Sequence, residues 1–63
     1  MATTTTIEEL RSQRFDAWVS YHEHRARYVE GDESPERLAA VQREALRIAA
    51  IDSQIADLER RAA

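Results

Sequence analysis

The sequence predicts an all-α protein: an antiparallel two-helix hairpin that associates into a helical bundle. Three observations carry this expectation. Apolar residues recur at spacings of three and four along two long stretches, the period of one face of a helix. The one Gly and the one Pro, Gly31 and Pro35, both fall between those stretches and interrupt neither. The chain has 63 residues and no Cys, so neither a disulfide nor a thiolate-bound zinc can staple it. Chains this short bury a small share of their surface and commonly gain stability by oligomerising. One domain is expected over 1–63, with helix one at about 7–30, a turn at 31–34 and helix two at about 35–61.

The elements follow in order. Residues 2–5 form a short polar tail, expected to be loose because β-branched Thr has no helix preference. Thr6, Ile7, Glu8 and Glu9 read as a capping box: the Thr6 hydroxyl accepts from the backbone N–H of Glu9, and the Glu9 carboxylate reaches back. Helix one then shows two sides. Glu9, Ser12, Gln13, Asp16, Ser20, Glu23, Arg27 and Glu30 share a polar sector. Ile7, Leu10, Phe15, Ala17, Trp18, Tyr21, Ala26, Tyr28 and Val29 lie opposite, with Val19 at the edge. That apolar side spans about half the circumference, wider than the ~100° stripe of a single contact. It predicts two neighbouring helices rather than one.

Gly31 stands where a helix end wants a residue of positive φ. Ser34, Pro35 and Glu36 open the next helix as N-cap, first helical residue and first-turn acid. A connection this short lies within the 2–8 residues usual for antiparallel helix pairs. In helix two, Leu38, Val41, Ala45, Ile48, Ile51, Ile55, Leu58 and Ala62 form a coiled-coil-like seam. Its two consecutive threes, at Ala45, Ile48 and Ile51, predict local overwinding. Leu46 lies off the seam near Ala39, Ala49 and Ala50, a flatter face open to another helix.

Composition narrows the function classes. The net charge is −3, so no overall basic signal points to nucleic acid. No apolar run approaches the ~20 residues of a membrane span, and the first six residues lack the basic start and apolar core of a signal peptide. A cytoplasmic or virion location is expected, with no membrane contact. All nine basic residues are Arg, which suits bidentate pairing and stacking on rings.

Neither catalysis nor a cofactor is expected. There is no glycine-rich phosphate loop and no nucleophile elbow around any Ser. His22 and His24 are two apart, so on a helix they point about 200° from each other, whereas helical metal pairs need spacings of three or four. No metal site is expected. The residues expected at a protein interface are Phe15, Trp18, Tyr21, Arg25 and Tyr28 of helix one, with Leu38, Val41, Ile48, Ile51, Ile55 and Leu58 of helix two. Trp, Tyr and Arg dominate interface hot spots. Arg14 and Arg25 lie within the apolar face, and a buried Arg demands a partner.

The stretches Ile7-Glu8-Glu9-Leu10, Phe15-Asp16-Ala17-Trp18, Leu38-Ala39-Ala40-Val41 and Ile55-Ala56-Asp57-Leu58-Glu59, with the break at Gly31, resemble the small helical phage head–tail joining (gpW-type) proteins. Many of those proteins insert a β-hairpin between their helices, where this sequence has a short turn. The resemblance implies a non-enzymatic role in virion assembly. The function expected is therefore a non-catalytic assembly, adaptor or virion structural protein, working as a homo-oligomer or within a larger protein assembly. The alternative is a dimeric four-helix-bundle regulator binding nucleic acid through Arg11, Arg14, Arg25 and Arg27. Glu8, Glu9, Asp16, Glu23 and Glu30 dilute that stripe and make nucleic acid the less favoured partner.

Overall fold

The computed structural model describes residues 6–62, so the tail expected at 2–5 lies outside the described residues. Two helices, α1 (Ile7–Val29) and α2 (Pro35–Ala62), pack as an antiparallel all-α hairpin. The whole measures 45 × 25 × 15 Å, one helix layer thick.

Local chemistry fixes the start of α1 and both ends of the turn. The Thr6 hydroxyl accepts from the Glu9 N–H at 3.1 Å, which starts α1. At its other end the Gly31 N–H donates to the Tyr28 carbonyl (3.3 Å) and the Asp32 N–H to the Arg27 carbonyl (3.0 Å). This is the paired closure that satisfies the last carbonyls of a helix. It needs positive φ, and Gly31 has φ +130°. The Ser34 hydroxyl then accepts from the Arg37 N–H at 3.2 Å and starts α2.

The seam between the helices follows a stricter period than the apolar residues alone suggest. On α1 it runs through Ile7, Leu10, Arg14, Ala17, Tyr21, His24 and Tyr28, alternating threes and fours. On α2 it runs through Arg37, Val41, Glu44, Ile48, Ile51, Ile55 and Leu58, again alternating. Leu10, Ala17, Ile51 and Ile55 are buried together, with Ile7, Ile48 and Leu58 packed against them. Ala17 is fully buried within this cluster. The apolar core therefore lies at the end remote from the turn, with Ala40 buried nearer the turn.

Two expectations about α2 are corrected. Glu44 is buried while Ala45 is exposed. Leu38 is 39 % exposed, and the neighbouring half-buried Arg37 occupies the seam position instead. The cause is geometric. Passing from Val41 through Glu44 to Ile48 keeps the regular alternation, whereas passing through Ala45 breaks it. No local overwinding is needed, and the Glu44 methylenes take the place of an apolar side chain.

Candidate interaction surface

The polar members of the seam set the geometry of the hairpin. At the turn, the Arg37 Nε donates to Asp32 Oδ2 at 2.8 Å, and Nη1 lies 2.6 Å from His24 Nδ1. A guanidinium has donors only, so His24 Nδ1 accepts. One side chain thus ties the first turn of α2 to the loop and to α1. The Arg37 hydrogen bond, with a smaller contribution from Ser34, holds the Asp32 carboxyl below its ordinary value of 3.8. Farther along, Arg14 Nη1 donates to Asp52 Oδ1 at 2.9 Å across the helix pair. Glu44 is the exception: its buried Oε2 accepts no hydrogen bond, and the Arg47 guanidinium stands 3.6 Å away.

This seam uses only one edge of the wide apolar side of α1. Phe15 is 65 % exposed, Trp18 52 % and Val29 72 %. They recur with His22 and Arg25 at the same alternating three-and-four spacing, one position after each seam residue. That offset rotates the stripe about 100° from the seam. The His22 ring sits edge-on to Trp18, with centroids 4.0 Å apart, and edge-on to Tyr21 at 5.2 Å. His22 thus packs against both rings at the surface. His22, Arg25, Ala26, Val29 and Glu30 line an open depression of about 320 Å³. All five belong to α1 or its cap, so the depression is a groove along one helix.

The residues expected at an interface accordingly separate into two sets. Val41, Ile48, Ile51, Ile55 and Leu58 are buried or half-buried within the hairpin, with Tyr21 and Tyr28 half-buried on α1. Phe15, Trp18, Arg25 and Leu38 are exposed. Arg14 and Arg25 also part company: Arg14 finds Asp52, while Arg25 stays in the exposed stripe. Arg37, His24 and Glu44 were not among the expected site residues. Only the heptad phase marks them, because their residue types argue against a seam.

The described residues contain no group of three or more His, Asp or Glu placed to hold a metal ion. Neither helix is long and apolar enough to cross a membrane. Set beside models of protein families, curated proteins and solved structures, the chain matches none.

Proposed function

We propose that this protein is a small non-catalytic assembly or adaptor protein, working in the cytoplasm or in a virion through contacts of its helix faces. The observation that carries the reading is the stripe in which the apolar side chains of Phe15, Trp18 and Val29 stand exposed, with His22 and Arg25 between them, beside a seam already closed. Large exposed apolar patches with polar rims mark interaction surfaces, and Trp18 with Arg25 supplies the residue types that anchor them. The resemblance to head–tail joining proteins supports the virion setting.

Isolation of the tagged chain from its native source tests the reading. The wild-type chain is expected to bring down a protein assembly that Trp18→Ser and Phe15→Ser lose with helicity unchanged. An assembly indifferent to both substitutions overturns it. So does tight binding of labelled DNA or RNA with a steep salt dependence, which would place function on the Arg residues of α1.

A further inference from the structure

The Arg14–Asp52 ion pair shows which outer faces of α1 and α2 share one side of the hairpin. It bridges the helices along one flank of the seam. Residues three, four and seven apart lie on one helix face. Arg11 and Trp18 therefore flank Arg14 on α1, while Ala45, Ala49, Ala56 and Glu59 flank Asp52 on α2. All of these are exposed. The same broad face thus carries an aromatic ridge on one helix and an alanine shelf on the other.

We propose that a second copy of this chain docks on this face, related by a two-fold axis parallel to the helices. The inference rests on the assembly reading and names its partner. Such an axis keeps every residue at its own height and lays α1 of one copy over α2 of the other. The Arg14–Asp52 and His24–Arg37 contacts place Trp18 level with Ala45, and Arg11 nearly level with Asp52. Trp18 then seats on Ala45 of the other copy, the bulkiest side chain over one of the smallest. Arg11 meets the Asp52 carboxylate, and the basic ridge faces the acidic residues Asp52 and Glu59.

Size and charge match in this arrangement and not in its alternative. Turning the axis across the helices stacks ridge on ridge and shelf on shelf, which holds the alanines apart and sets Arg11 and Arg25 against a second basic ridge. The face measures about 45 by 25 Å, which is room for the ~800 Å² per partner of a stable interface. Each helix gains an antiparallel neighbour in the second layer, completing a four-helix bundle.

Light scattering of the full chain over a dilution series, with circular dichroism at each point, tests the proposal. The wild type is expected to be a helical dimer. Trp18→Ala is expected to weaken self-association by ~30-fold or more, the effect of a lost anchor. Ala45→Trp is expected to weaken it as well, and the two together to restore it, because the ridge has moved to the opposing shelf. A wild type that stays monomeric at millimolar concentration overturns the second copy as occupant. The assembly reading then stands or falls on whether Trp18→Ser loses the native assembly. A dimer that ignores Trp18→Ala, or is not rescued by the swap, overturns this face. Ellipticity that falls in the single variants independently of concentration is a folding defect, and the restored dimer of the double variant then decides.

Discussion

Arg37 does the most at the turn, where three weak ends of structure meet. Its backbone N–H completes the Ser34 cap, and its guanidinium holds Asp32 and His24 at once. Ser34→Ala is expected to cost ~1 kcal/mol through the lost cap, read as a shift of the urea midpoint at unchanged slope. Gly31→Ala tests the backbone alone, since a Cβ there meets no atom within 4 Å. The cost is expected at about 1–3 kcal/mol, from forcing positive φ on an L-residue. A neutral result would mean that the turn can close without it. Asp32 sets an acid dependence. Its carboxyl lies below 3.8 in the folded chain because Arg37 and Ser34 donate to it. The unfolded chain therefore takes up this proton at higher pH than the folded one. The stabilisation is complete above 3.8 and is lost as pH falls through the lowered value. Asp32→Asn is expected to flatten stability against pH below about 4, and an unaltered acid limb would show that the Arg37 contact does not persist in solution. Ser34 and Gly31 were legible in the sequence because caps and helix ends are decided by a few neighbouring residues. The Arg37 contact with His24 was not, because it joins residues that only the hairpin brings together.

The seam shows how a helix pair chooses its phase. The apolar residues of α2 fit two paths, one through Ala45 and one through Glu44, and residue type favours the first. The structure takes the second, since knobs-into-holes packing rewards an unbroken alternation of threes and fours along the whole contact. On α1 the same rule selects Arg14 and His24 and leaves Phe15 and Trp18 outside. Helix existence and ends were therefore legible from periodicity and caps, while the facing residues depended on a register shared with the other helix. Glu44 bears the consequence, with a buried Oε2 that no donor reaches. Glu44→Leu keeps helix propensity and volume and removes an unsatisfied acceptor. It is expected to stabilise the hairpin by about 1–3 kcal/mol, the desolvation cost of such a group, visible as a higher melting temperature. A lower one would mean that Arg47 closes the present 3.6 Å gap and satisfies the carboxylate. Ala17→Leu is expected to act in the opposite direction. Ala17 has no exposed surface to grow into, so extra methylenes are expected to push the helices apart at a cost of ~1–3 kcal/mol.

At the scale of the molecule, apolar packing and polar clasp occupy opposite ends of the hairpin. Leu10, Ala17, Ile51 and Ile55 close the end where both termini leave, and the turn end rests on Arg37, His24, Asp32 and half-buried tyrosines. Burial of apolar area resists opening more than hydrogen bonds whose partners can turn to water, because each such bond is worth only ~1 kcal/mol net. The turn end is thus the weaker one, although the chain joins the helices there. Native-state amide exchange makes this measurable. The slowest amides are expected in the helical turns around Ala17, Ile51 and Ile55, exchanging only by global unfolding, while those from Tyr28 to Arg37 exchange through local opening at lower free energy. Ile55→Ala separates the two processes. Loss of a buried Ile side chain costs ~2–5 kcal/mol, a large share of the ~3–9 kcal/mol typical of a chain this size. It should accelerate the core amides strongly and those of the turn little. If the turn amides were the slowest and Ile55→Ala left them so, the clasp would be the stable unit and the apolar end would fray. Phe15 and Trp18 of the exposed ridge would then sit on the less rigid half of α1.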